Sequence, residues 1–198
     1  MGAIFAIEKD GVVYLAADAV KKCCDVELHV NKETNFKIHK MPSDIIVASC
    51  GPMIVTQQLW LHDEWFELDD GEAFDKRFIV TKLIPKLYNA TKNFDVWEEE
   101  FGDFVNSTEA GFIIARGGDI YMICNNLSVV KCEKLAAVSD ARAEMLMLAY
   151  ANACTDDDPE MVIKKAFEFA SGRTATVSTH GIVINTRDQV FKKMEEIG

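Results

Sequence analysis

MGAIFAIEKDGVVYLAAD, residues 1–18, decides how the rest of the chain is read. Ala3 to Ile7 and Val12 to Ala17 are short apolar runs of strand length. Between them Glu8-Lys9-Asp10-Gly11 carries an Asp-Gly pair, a strong short-range hairpin signal because both turn positions need positive φ. The reading is a hairpin that places the start of the chain inside a sheet. Such a placement makes chemical sense where the amino terminus itself has work to do.

The chain has 198 residues, of which 49% are hydrophobic and 27% charged. That is enough apolar material for one globular domain spanning residues 1–198. A net charge of −11 argues against nucleic acid as a partner, because a phosphate backbone calls for a basic footprint. No leader pattern opens the chain and no apolar run nears the roughly 20 residues of a membrane span, so a cytoplasmic protein without a membrane partner is expected. The six cysteines (Cys23, Cys24, Cys50, Cys124, Cys132, Cys154) form no C-x-x-C pair and read as reduced core thiols. Asn89-Ala90-Thr91 and Asn106-Ser107-Thr108 match the glycosylation acceptor by chance alone if no secretion signal precedes them.

Beyond the hairpin an irregular stretch leads to a strand at Asn35 to Met41, a turn at Pro42-Ser43-Asp44, and a buried strand from Ile45 to Ser49 ending at Cys50-Gly51. Pro52 opens a helix whose Ile54, Leu61, Trp65 and Leu68 recur at helical spacing. A second helix spans Lys76 to Lys92, with a kink expected at Pro85. Phe94 to Ser107, with Trp97, Phe101 and Phe104, reads either as a short helix capping the core or as a partner-binding edge. GFIIAR and IYMIC flank a Gly117-Gly118-Asp119 turn, and Leu127 to Cys132 forms another strand. An Ala- and Met-rich helix covers Arg142 to Ala153. Asp158 caps a further helix with Pro159 in its first turn and Val162, Ile163, Ala166, Phe167 and Ala170 on one face. Strands at Thr174 to Ser178 and Gly181 to Asn185 precede an amphipathic tail bearing Val190, Phe191, Met194 and Ile197.

Strands, two helices, strands, two helices, strands is the order of an α+β fold. Two antiparallel sheets stacked face to face, with a helical pair outside each, bury both kinds of apolar surface. The expectation is a four-layer αββα sandwich.

Four blocks in this order, GAIFAIEKDGVVYLAAD, NFKIHKMPSDIIVASCG, GFIIARGGDIYMI and AFEFASGRTATVSTHGIVI, resemble proteasome β-type subunits and the HslV-type peptidase. Both are N-terminal nucleophile hydrolases. The resemblance implies an N-terminal threonine whose hydroxyl attacks the peptide carbonyl, with its own α-amine as base. It further implies a lysine beside the nucleophile, an aspartate holding that lysine, and a glycine N–H stabilising the oxyanion. Asp18, Lys37 and Gly51 fall on these three positions.

The nucleophile position itself falls on Gly2, which has no hydroxyl or thiol. Other departures accompany it. Val20 stands where the family has arginine, and Ser139-Asp140-Ala141 where it has Gly-Ser-Gly. The acid expected after the fourth helix is absent, with Thr174 or Gly172 in its place. Asp140, in this substituted segment, is a further candidate site residue. Individually, Asp18 can be a strand-end cap, Lys37 an exposed strand residue, and Gly51 a source of backbone freedom at a turn.

Two functions compete on this sequence. One is a proteasome-like subunit without threonine-peptidase activity, a homo-oligomeric assembly or binding protein, for which the resemblance implies rings and an ATP-driven unfoldase partner. If Met1 is removed, the Gly2 amine beside Lys37 makes a small cationic hollow suited to an anion. The other is an active hydrolase, through processing to an internal residue or through Cys50 with His39 or His180 as base. No cofactor and no metal are implied. The acidic runs 69–72 and 156–158 lack a calcium-loop pattern, and His29, His39, His62 and His180 are not at ligand spacing.

Overall fold

The computed structural model describes residues 2–23, 26–29, 37–92, 98–99, 106–107, 110–154 and 157–198. Its first hairpin joins β1 (Ile4–Lys9) to β2 (Val12–Asp18) in register from Ile4↔Ala17 to Lys9↔Val12. Asp10 and Gly11 sit at φ 53° and 75°, the left-handed pair a two-residue turn requires. A small hairpin, β3 (Val20–Cys23) and β4 (Val26–His29), follows where an irregular stretch is expected. Then come β5 (Ile38–Met41), a turn with Ser43 and Asp44 at φ 60° and 58°, and β6 (Ile45–Cys50).

The first helical layer is α1 (Met53–Leu61), a 3₁₀ turn at Asp63–Phe66, α2 (Lys76–Phe78), a π-helical stretch at Ile79–Leu83, and α3 (Ile84–Thr91). Two expectations change here. The helix opened by Pro52 stops at Leu61, and its buried face is Val55, Thr56 and Leu59, while Ile54 and Leu61 face solvent. A helix apolar on every side gives no stripe from which to choose the inward face. Pro85 has no N–H for the i−4 carbonyl, and the disturbance takes the form of the widened turn immediately before it.

Of Phe94 to Ser107, only β7 (Glu98–Glu99) and β8 (Asn106–Ser107) are described; they pair antiparallel and are not helical. Trp97, Phe101 and Phe104 lie outside the described residues. β9 (Gly111–Arg116), β10 (Asp119–Ile123) and β11 (Val129–Cys132) form a meander. β12 (Leu135–Val138), which sequence patterning leaves unassigned, pairs with β1. The second helical layer is α4 (Ala141–Ala153) and α5 (Pro159–Ser171), capped by Asp140 and Asp158. β13 (Gly181–Asn185) and β14 (Lys192–Lys193) close the chain with a 3₁₀ turn at Met194–Glu196. Thr174 to Ser178 is not a strand.

The two large sheets run β12-β1-β2-β13-β14 and β11-β10-β9-β6-β5. Strand alternation sorts their side chains into layers. Ile4, Ala6, Val13, Leu15 and Ala17 meet Ile46, Ala48, Ile113 and Ala115 between the sheets. Phe5 and Ile7 point the other way, into a core with Met147, Ile163 and Phe167 of α4 and α5. On the far side Ile45, Val47, Phe112 and Ile114 pack on Val55, Leu59, Leu83 and Leu87 of the first helical layer. The architecture is the four-layer αββα sandwich.

Gly181 shows how tightly β13 docks. A Cβ there would lie 2.3 Å from the Ala17 carbonyl oxygen and 3.0 Å from the Asp18 Cα. Only glycine lets the strand approach β2 so closely at the residue that pairs with Asp18.

Candidate functional site

β2 ends on Asp18, whose side chain is fully buried. Its Oδ1 accepts the Ala3 N–H at 3.0 Å and the Lys37 ammonium, and its Oδ2 accepts the Ser178 N–H at 3.1 Å. Burial raises the proton affinity of this carboxyl, and the Lys37 ammonium and the two N–H groups act against it. Lys37 precedes β5 and is tied to β6 by its own carbonyl, which accepts the Ser49 N–H at 2.7 Å. Asp18 and Lys37 therefore form the pair the resemblance implies, next to the residues that begin β1.

Residue 2 sits in a cradle beside them. The Gly2 carbonyl accepts the Ser139 hydroxyl at 3.0 Å and the Cys50 thiol at 3.1 Å, while the next peptide N–H goes to Asp18. Three segments distant in sequence, those of Asp18, Cys50 and Ser139, thus converge on Gly2 and Ala3. Gly51 follows Cys50 with φ at 133°, a conformation that favours glycine. No side chain at residue 2 is available for attack.

Asp140 plays a different part from the one its place in the site suggests. Its Oδ1 accepts the Arg142 and Ala143 N–H groups, both at 3.0 Å, as the N-cap of α4, and its Oδ2 accepts the Thr176 hydroxyl. Partial burial raises this carboxyl, but the Thr176 hydroxyl and the backbone N–H groups outweigh it and hold the group below its ordinary value. The resemblance implies a hydroxyl before this helix and an acid after the next one. Here the acid stands before α4, the hydroxyl after α5, and the two bond to each other.

Thr174 and Gly172 both sit at the end of α5. The Thr174 hydroxyl donates to the Ala170 carbonyl at 3.2 Å, and Gly172 ends α5. Ser139, Thr176 and Ser178 are the site residues that sequence spacing did not single out as contacts. The polar pattern of Thr176 and Ser178 within SGRTATVSTHG was visible, but their contacts depend on this stretch being a loop and not a strand.

Cys50 is 4% exposed, and burial pushes its thiol up, with Lys37 lowering it and Asp18 raising it. A thiol so held is a poor nucleophile. Its proposed bases point elsewhere: His39 stacks on Trp60 with ring centres 5.4 Å apart, and the His180 Nε2 lies 3.9 Å from Glu195. Among the described residues no cluster of three or more His, Cys, Asp or Glu is arranged to hold a metal ion, and no helix is long and apolar enough to cross a membrane.

The sequence matches no protein-family model and no curated protein. Solved structures do match. BPH from Thiobacillus denitrificans superposes with a TM-score of 0.71 at 20% identity, over 92% of this chain and 96% of that one. The same protein has a second matching structure in complex with epoxomicin. Eukaryotic HslV from Trypanosoma brucei gives 0.64 at 16% identity, over 92% and 98%. Anbu, an ancestral beta-subunit from Yersinia bercovieri, gives 0.68 at 10% identity, over 99% and 88%. The chain has the proteasome-like fold of the N-terminal nucleophile hydrolases.

Proposed function

We propose that this chain is a proteasome-like subunit that lacks threonine-peptidase activity and serves as an oligomeric assembly or binding protein. The observation that carries the reading is Gly2. It occupies the position held by the nucleophile in the resembling family, and its carbonyl is fixed by Ser139 and Cys50. Asp18, Lys37 and Gly51 remain as a scaffold with no hydroxyl on residue 2 to activate.

By resemblance, the subunit assembles as a homo-oligomeric ring in the cytoplasm and meets an ATP-driven unfoldase. As a binder it offers the space beside Lys37 to an anionic group. The acidic net charge leaves nucleic acid outside this reading.

Peptide hydrolysis and molar mass, measured on one preparation, test the proposal. Absence of hydrolysis of unstructured peptides together with a mass several times that of one chain is the expected result. Hydrolysis abolished by alkylating Cys50 or by removing residue 2 would overturn the inactive reading. A monomer at high concentration would overturn the assembly reading.

A further inference from the structure

The first helical layer carries its charges in two blocks. Residues 63–75 hold seven Asp or Glu and no Lys or Arg, while residues 76–92 hold five Lys or Arg and no Asp or Glu. The acidic block is the 3₁₀ turn at Asp63–Phe66 and the loop after it, and the basic block is the helical run from α2 through α3. The two lie side by side, because the Lys82 ammonium reaches Asp69 and Glu72, both at 2.8 Å. Those bonds do not use up either block. Lys76, Arg77, Glu67 and Asp70 are exposed, and none of the four forms an ion pair among the described residues. The layer is also unusually apolar on its surface. Of the eight large hydrophobic side chains exposed among the described residues, five belong to it, Leu61 being the most open at 59%, which is a concentration and not single scattered residues.

A partner of a single sign of charge would meet its like over part of this surface. A second copy related by a two-fold axis does not, because such a contact sets the acidic block of each copy against the basic block of the other. We infer that the first helical layer is an interface between two copies of this chain, residues 63–75 of each facing residues 76–92 of the other across the axis. The net charge of −11 bears on the choice. Two such chains repel on the whole, and a contact that sets base against acid offsets that repulsion. The inference deepens the assembly reading and rests on it.

The test measures molar mass by light scattering at low salt, where charge contacts are least screened. Four samples are compared: wild type, Lys76→Glu with Arg77→Glu, Glu67→Lys with Asp70→Lys, and an equal mixture of the two variants. The substituted side chains are all exposed, and acids suit the first turn of a helix better than the cations at 76 and 77 do, so both variants should fold; melting temperatures check this. A two-fold contact joins assemblies in pairs. Each variant alone should therefore have half the wild-type mass, its dissociation constant raised roughly tenfold or more by like charges set face to face. The mixture should regain the wild-type mass, since one variant then offers acids where the other offers bases.

Wild-type mass in both variants, or a halved mass that mixing does not restore, would overturn the interface. Should one variant not fold, the other is read alone against wild type: half the mass supports the interface and an equal mass overturns it. The two ideas fail differently. A wild-type protein that is monomeric at low salt sinks the assembly reading together with this interface, whereas a wild-type oligomer indifferent to charge reversal sinks the interface alone.

Discussion

The Asp18 carboxylate accepts the Ala3 N–H at 3.0 Å from inside the fold, so the residue that closes β2 also fixes the peptide following residue 2. On the proposed reading this contact fixes a glycine that carries no nucleophile, and its effect is on stability.

Asp18→Ala should destabilise the protein by about 3 kcal/mol, because it strands the Lys37 ammonium and the Ala3 and Ser178 N–H groups together. Asp18→Asn retains an acceptor for an N–H group and should cost less. Urea unfolding of both variants checks the order, and equal stability of Asp18→Ala and wild type would refute it.

Asp140 contributes to stability in a defined pH window. Its folded value is lowered, so its contribution is complete above the unfolded carboxyl value of about 3.9 and is lost as pH falls through the lower folded value. Stability followed below pH 5 should therefore fall less steeply in Asp140→Asn than in wild type. At neutral pH, Asp140→Ala should cost about 1 kcal/mol through the lost helix cap.

The Cys50 thiol is raised by burial and should be protonated at neutral pH. Its alkylation in the folded protein should be far slower than that of an unfolded control and should quicken as pH rises. Rapid labelling at pH 7 would revive the cysteine-nucleophile reading.

At Gly181 the backbone of β2 leaves no room for a methyl group. Gly181→Ala should cost at least the roughly 1–3 kcal/mol of an overpacked core, whereas alanine at exposed Gly198, which meets nothing within 4 Å, should be neutral. Melting temperatures of the two variants decide this.

The layers of the fold were legible because alternation is unambiguous in strands such as Ile4-Phe5-Ala6-Ile7, where successive residues enter different cores. The Asp10-Gly11 turn was legible for the same kind of reason, a local backbone requirement. β12 was not, since Leu135-Ala136-Ala137-Val138 carries little strand signal and owes its conformation to pairing with β1. The solvent side of α1 was hidden by a helix apolar all round. In the site, the Asp18–Lys37 contact was implied by the family resemblance. The Thr176 and Ser178 contacts join segments 36 and 160 residues apart, and residue order alone does not encode which hydroxyl or N–H meets which carboxylate.

The central claim is that residue 2, with no nucleophile, is what the mature chain presents at this site. The most direct test is the intact mass of the untagged protein purified from its native host. A mature chain that begins at Gly2, or at any residue before it, is the predicted result. A shorter mass that begins at threonine, serine or cysteine would contradict the account and make the protein a processed hydrolase.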